Sequence, residues 1–286
     1  MCLQNNIIFQ RVKGKKMINH SLSINTAEYQ KFKLWLHSSA GIDLKETKIK
    51  LVEGRLACRL RHYNLKSYDA YFKMITAKNA HIEAQMAVDL LTTNETYFFR
   101  EEQHFEFLKK NILAKAKSKQ NFRLWCAASS SCEEPYTLAM TLAEGLGSAP
   151  WQIIASDINL QVLEKARSGH YALERAHNIP KILLQKYCLK GLGSQEGTFL
   201  IHKALRDKIE FKQINLINAL PDFGQFDVIF LRNVMIYFDN ETRTQVVNKI
   251  VSLLKPGGYL FISHSESLVG INTQLKIVQP SVFIKS

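Results

Sequence analysis

The stretch Leu124-Trp125-Cys126-Ala127-Ala128-Ser129-Ser130-Ser131-Cys132-Glu133-Glu134-Pro135-Tyr136 decides how this chain is to be read. A β-rich apolar run passes through a turn of small residues into a segment that opens with two acids and a proline. Small side chains let a backbone turn approach a ligand, and the helix that follows aims its free N–H groups at it. Pro135 suits a helix start, where its missing N–H costs little. Neither GxGxxG nor GxxxxGK[ST] is present to hold phosphates, and Glu133 beside the turn would repel a diphosphate while attracting an ammonium group. NAD and ATP are thereby disfavoured.

On either side of this unit the texture is that of a parallel sheet with crossover helices: from residue 121 on, short β-rich runs alternate with helical segments. The expected strands are 122–127, 152–156, 209–214, 227–231 and 259–263, with a final antiparallel pair within 276–285. Helices are expected over 134–144, 160–167 and 241–254, the last stopped by Pro256-Gly257-Gly258. Such a doubly wound α/β domain binds ligands at the carboxyl ends of its strands. Asp157, at the end of the second strand, is placed either to accept hydrogen bonds from two ribose hydroxyls or to cap the next helix. Between 169 and 208 the alternation breaks, and turn residues at Gly191, Gly193 and Gly197 indicate a small antiparallel insertion.

Ahead of the sheet, residues 25–91 read as several short helices, with apolar residues at three- and four-residue spacing. Within 48–62, Ile49, Val52, Leu56 and Leu60 form an apolar stripe beside a basic one of Lys48, Arg55, Arg59 and His62. The formal charge of +13 is lopsided: residues 1–90 hold 15 Lys and Arg against 7 Asp and Glu, or +8. An acidic partner is expected. Five cysteines without a CxxC pair and nine histidines without HExxH spacing point to reduced thiols and no metal site. The longest apolar run, near 226–238, is cut by Arg232, far short of the roughly 20 residues a membrane helix needs. Ile7-Ile8-Phe9 followed by Arg11, Lys13, Lys15 and Lys16 reverses the order of a secretory signal, so a basic flexible leader on a cytoplasmic protein is expected, with no membrane insertion.

Two further strings are Thr93-Asn94-Glu95-Thr96-Tyr97-Phe98-Phe99-Arg100-Glu101 and Phe230-Leu231-Arg232-Asn233-Val234-Met235-Ile236-Tyr237-Phe238-Asp239. Each sets amides, hydroxyls and one arginine at fixed offsets among aromatics, and they look like two walls of one pocket. The pair closely resembles the signatures of the CheR family, S-adenosylmethionine-dependent methyltransferases that esterify glutamate side chains on bacterial chemoreceptors. The resemblance covers roughly residues 25–286. It implies a Rossmann-like class I S-adenosylmethionine methyltransferase sheet with an N-terminal all-helical domain and a small inserted antiparallel β-subdomain. The domains would be a leader at 1–20, a helical substrate-recognition domain at 21–91 and a methyltransferase domain at 92–286 with its insertion at about 172–208.

Carried over residue by residue, the resemblance implies cofactor contacts from Asn94, Thr96, Arg100, Glu133, Asp157, Asn215, Leu216, Asn233 and Val234. Glu133 would then meet the α-ammonium of S-adenosylmethionine, and Arg100 and Tyr237 would hold the incoming carboxylate. Lys48, Arg55 and Arg59 would face the acidic methylation helices of a receptor's cytoplasmic domain. Lys190-Gly191-Leu192-Gly193-Ser194-Gln195-Glu196-Gly197 resembles the Gly-x-Gly turn of members that dock on a receptor's C-terminal pentapeptide. His264, in Ser263-His264-Ser265-Glu266-Ser267, resembles a family segment and is given no chemical role. The chain departs from the family at one point: Cys132 stands where Ser-Thr-Gly-Glu-Glu-Pro-Tyr has its glycine. If that position needs a positive φ, the cysteine costs on the order of 1–2 kcal/mol.

Two competing readings remain at this level. The charge permits a nucleic-acid methyltransferase, but the Asp/Asn-Pro-Pro-Tyr/Phe motif of amino-methyltransferases is replaced by Arg232-Asn233-Val234-Met235-Ile236-Tyr237. Cys132 also permits a receptor-docking module that has lost catalysis. The expected partner is a chemoreceptor and not a nucleic acid.

Overall fold

Asn25 starts the first helix by a reciprocal cap. In the computed structural model, which describes residues 22–116 and 121–286, its side chain accepts the Glu28 N–H while Glu28 accepts the Asn25 N–H, opening α1 (Thr26–Ala40). The expected leader, 1–20, lies outside the described residues. Three more helices follow: α2 (Ile49–His62), α3 (Tyr68–Ile75) and α4 (His81–Leu91). The four-residue spacing of Val52, Leu56 and Leu60 puts all three on one face of α2, where they are buried against Tyr29, Phe32, Leu36, Tyr68 and Tyr71. The N-terminal region is therefore all-helical, as its periodicity predicts.

A short α5 (Gln103–Phe107) leads into the sheet. In chain order the elements are β1 (Phe122–Cys126), α6 (Glu133–Leu146), β2 (Trp151–Asp157), α7 (Leu160–Ser168), β3 (His170–Ala172), α8 (Lys181–Tyr187), β4 (Cys188–Lys190), β5 (Thr198–Ile201) and α9 (Lys203–Arg206). They continue with β6 (Ile209–Gln213), β7 (Phe226–Phe230), α10 (Asn240–Ser252), β8 (Leu254–Phe261), β9 (Leu275–Gln279) and β10 (Val282–Lys285). The main sheet has the order β6-β2-β1-β7-β8-β10-β9, parallel through β8 and antiparallel at β10 and β9. Strands β1 and β7 are covered on both faces, which is why they read as nearly unbroken apolar runs. The insertion forms a separate antiparallel sheet, β3-β5-β4.

One expectation fails at Pro256-Gly257-Gly258. Helix α10 ends at Ser252, and the three residues lie inside β8, where the pairing with β7 shifts register. A bulge accommodates a proline that a regular ladder would reject. Among the described residues, no helix is long and apolar enough to cross a membrane.

Candidate active site

The chain runs from β1 to β2 and β6 on one side, then crosses to β7 on the other, so the strand order reverses between β1 and β7. Crevices in open α/β sheets form at such a point. A cavity of about 440 Å³ lies there, within the roughly 300–1,000 Å³ of ordinary small-molecule sites. Its sheet side includes Ala127, Ala128, Asp157, Asn215, Leu216, Asn233 and Val234. Asn94, Thr96 and Arg100 come from the first of the two motif strings and Tyr237 from the second, so both strings do border one pocket. The helical domain contributes Ile42, Leu44, Lys45, Lys48 and Leu91, and Glu134 and Arg232 border the cavity from the sheet domain.

That domain is tied down beside the cavity. The Asn215 side-chain amide donates to the Ser39 carbonyl (2.7 Å), the Asp43 N–H donates to the Tyr237 carbonyl (2.8 Å), and His37 pairs with Asp239 (2.7 Å). Asn215 thus holds an inter-domain contact as well as lining the pocket.

Two residues missed by the sequence reading fix the pocket walls. Arg232 is fully buried between the carboxylates of Glu134 and Glu101, and it also donates to the Arg100 carbonyl (2.7 Å). One guanidinium therefore joins β7, α6 and the Arg100 loop. Burial opposes ionisation of Glu101, but Arg232 and the Ser263 and His264 donors overcome it and leave its carboxyl below the usual range. Glu266 accepts the backbone N–H groups of Asn233 (3.1 Å), Val234 (3.0 Å), Met235 (2.8 Å) and Ser263 (2.9 Å). It holds Asn233 at φ +57°, while the opposite wall has Phe99 at +56° and Glu101 at +58°. Left-handed non-glycine residues are costly and cluster at functional sites. The visible signal was Glu266 itself, within a quoted motif. Its partners 31 to 33 residues away were not visible.

Glu101 also lies near His104 and His264, with ligand-type atoms within 4.8 Å of one another. The Arg232 guanidinium, 3.1 Å from Glu101, already neutralises that carboxylate and disfavours a further cation. Burial, aided by Arg232, drops the His104 pKa to about 3, so this histidine is neutral.

In the turn after β1, Cys132 has φ +69°, the conformation in which a cysteine carries the cost set out above. Its thiol and that of Cys126 are pushed well up, first by burial, so both stay protonated and neither is an activated thiolate. Asp157 is buried at the end of β2 and accepts the N–H groups of Ser130 (2.8 Å) and Asn159 (2.9 Å). The helix cap is Asn159, whose side chain accepts the Val162 N–H, so Asp157 is free of that duty. Burial raises the Asp157 pKa to about 6 despite those hydrogen bonds. Glu133 is the exception among the expected cofactor residues. It is fully buried, does not line the cavity, and its carboxylate touches Arg175 and Ser131. The acid that borders the cavity at this turn is instead its neighbour Glu134, whose carboxylate is paired with Arg232.

The basic stripe of α2 is less free than its sequence implies. Arg55 donates to the carbonyls of Leu91 (3.0 Å) and Thr92 (2.8 Å), closing the end of α4. Arg59 grips Glu83 with two nitrogens (2.8 and 2.6 Å). Lys48 stays exposed at the cavity, and His62 is exposed at the far end of the helix. Gly191 lies where a Cβ would meet the Gln195 carbonyl oxygen at 2.0 Å, so only glycine fits, and Gly193 has φ +57°. Both lie in the insertion, away from the cavity.

Comparison with known proteins agrees with this geometry. Residues 27–92 match the domain described as "CheR methyltransferase, all-alpha domain", and residues 94–284 match "CheR methyltransferase, SAM binding domain". A chemotaxis protein methyltransferase of Salmonella typhimurium is 38% identical over 268 residues, covering 93% of this chain and 92% of the relative. Chemotaxis protein methyltransferase 2 of Pseudomonas aeruginosa is 40% identical over 268 residues, covering 93% and 95%. The Escherichia coli chemotaxis protein methyltransferase is 38% identical over 270 residues, covering 93% of each. The chain belongs to the CheR methyltransferase family, with S-adenosylmethionine as its cofactor.

Proposed function

We propose that this enzyme transfers the methyl group of S-adenosylmethionine to glutamate side-chain carboxylates of methyl-accepting chemotaxis receptors, giving glutamate methyl esters and S-adenosylhomocysteine. The observation that carries the reading is the meeting of Arg100 and Tyr237 with the expected ribose acid Asp157 around one cavity. The relatives named as chemotaxis protein methyltransferases support the receptor as substrate. The work would take place in the cytoplasm, on the receptor's cytoplasmic domain.

Bound S-adenosylmethionine supplies a sulfonium methyl open to in-line attack by a carboxylate oxygen. A solvent-facing glutamate, with a pKa of about 4.3, is already ionised at neutral pH, so the site needs no general base. Orientation is then the main task, and aligned reactants gain effective molarities of roughly 10⁵–10⁸ M. Arg100 is suited to orienting without seizing the nucleophile, because its Nη1 donates to the Glu95 carbonyl (3.0 Å) and its guanidinium lies over the Tyr97 ring (5.6 Å). Tyr237 supplies a hydroxyl donor from the same cavity. Lys48, at the cavity and exposed, supplies positive charge for acidic receptor helices.

The insertion is proposed to dock the receptor's C-terminal pentapeptide. Strand β4 is an edge of the small sheet, and the turn after it exposes Leu192 beside Gly191 and Gly193. An extended peptide can pair along such an edge. The reading is tested by incubating the enzyme with S-adenosylmethionine and a receptor cytoplasmic fragment, then mapping the products by tandem mass spectrometry. Base-labile methyl esters on glutamates are expected. Methyl groups in DNA or RNA, with none on the receptor, would overturn it.

A further inference from the structure

Arg100 reaches the cavity from a strained stretch of backbone. The residues on either side of it, Phe99 at φ +56° and Glu101 at φ +58°, are left-handed without being glycine, and such a conformation persists only where its surroundings over-determine it. On the C-terminal side the stretch is held by charge: Arg232 donates to the Arg100 carbonyl (2.7 Å) and pairs with the Glu101 carboxylate (3.1 Å). On the N-terminal side the hold is a neutral hydrogen bond, in which the Phe99 N–H donates to Oγ1 of Thr137 on α6 (3.2 Å). Thr137 is fully buried and does not line the cavity. Its hydroxyl proton is committed to the Glu133 carbonyl one turn earlier (2.7 Å), which leaves a lone pair for Phe99. Back-bonding of this kind is ordinary for a helical threonine. Accepting the N–H of a strained loop 38 residues away adds a tie between α6 and the Arg100 backbone.

We propose that Thr137 is a positioning residue for Arg100. The inference rests on Arg100 orienting the glutamate carboxylate. Held at the Phe99 N–H and at its own carbonyl, the Arg100 backbone keeps one orientation and delivers its guanidinium to one place in the cavity. Without the Thr137 acceptor the half-buried Phe99 N–H has no partner, and a turn toward water relieves both the unpaired donor and the left-handed strain. That turn carries Arg100 with it, because the two residues share a peptide plane. A reaction driven by alignment is sensitive to such a shift, since misplacement by about 1 Å can cost on the order of a hundredfold in rate. The same hydroxyl bonds the first turn of α6, where Glu134 borders the cavity, so it keeps that wall and the Arg100 wall in register.

Thr137→Val keeps the side chain's shape and removes the hydroxyl, whereas Thr137→Ser keeps the hydroxyl and leaves a methyl-sized gap. Methyl transfer to a receptor cytoplasmic fragment is measured for both beside wild type and Arg100→Ala, with thermal unfolding and amide hydrogen exchange across residues 97–101. Thr137→Val is expected to lower kcat/KM for the fragment by about tenfold, the equivalent of one neutral hydrogen bond. It should also speed exchange of the Phe99 amide while α6 itself stays protected. Thr137→Ser is expected to recover most of both, although it packs less well. Wild-type kcat/KM or unchanged Phe99 exchange in Thr137→Val overturns the proposal, and so do equal losses in the two variants, which a packing role alone would produce. If Arg100→Ala loses transfer and Thr137→Val does not, the role of Thr137 falls while the reading of Arg100 stands. If Arg100→Ala transfers methyl as well as wild type, the reading of Arg100 falls and the proposal with it.

Discussion

The loop after β7 and the basic face of α2 are built from similar materials, arginines among carboxylates and tyrosines, yet they use their charges differently. After β7, Arg232 is consumed in joining Glu134, Glu101 and the Arg100 carbonyl, and that leaves Arg100 available to the cavity. On α2, Arg55 and Arg59 are consumed in closing α4 and gripping Glu83, and of that basic stripe only Lys48 borders the cavity. In both regions a paired arginine, buried after β7 and half-buried on α2, builds the frame while another basic side chain borders the cavity. A charge count therefore bounds what a surface can attract without saying which charges are free to do so.

The comparison breaks most visibly at Arg232. Arg232→Met would strand the buried Glu134 carboxylate and leave half-buried Glu101 with its Ser263 and His264 donors alone, and breaking such a buried pair costs about 3–5 kcal/mol. Thermal unfolding should show the loss, together with loss of S-adenosylhomocysteine binding. A variant as stable as wild type would mean that Arg232 is not the strut described.

A smaller effect distinguishes the cavity from its frame. Asp157, with its pKa raised to about 6 by burial, accepts hydroxyl hydrogen bonds best when ionised. Affinity for S-adenosylhomocysteine is therefore full above that pH and falls as pH drops through it, by at most about tenfold per pH unit for one proton taken up. Calorimetry across this range should record the fall, and Asp157→Asn should flatten it.

The smallest effects separate the two roles on α2. Arg59→Ala should cost about 2 kcal/mol of stability, since it removes a charged hydrogen-bond pair from Glu83. Lys48→Ala should leave stability unchanged and raise the KM for a receptor fragment by roughly two- to fivefold, less at high salt. Equal behaviour of the two variants would erase the distinction.

These roles also mark where the sequence was legible. The run from Leu124 to Tyr136 could be read because a strand, a turn and a helix start are each local patterns, and the sheet topology then places whatever follows a strand end. The two motif strings pointed to a shared pocket through their amides, hydroxyls and arginines at fixed offsets and their resemblance to family signatures, and both do border the cavity. Arg232, by contrast, was visible only as an interruption of an apolar run, since Glu134 is 98 residues away. Glu133 was assigned by its position after the turn, and its pairing with Arg175 from the insertion was out of reach. The insertion's strands, three or four residues each, are too short to show alternation. Pro256 was misplaced because a proline-glycine pair after a helix looks like a stop, whereas here it sits in a strand bulge.

The most direct measurement is transfer of labelled methyl from S-adenosylmethionine to a receptor cytoplasmic fragment by wild type and by Arg100→Ala. Base-labile label that wild type produces and Arg100→Ala loses, with S-adenosylhomocysteine still bound by wild type, is the predicted result. Cofactor binding without any label on the receptor, or label indifferent to Arg100, would contradict the assignment of this cavity to glutamate methylation.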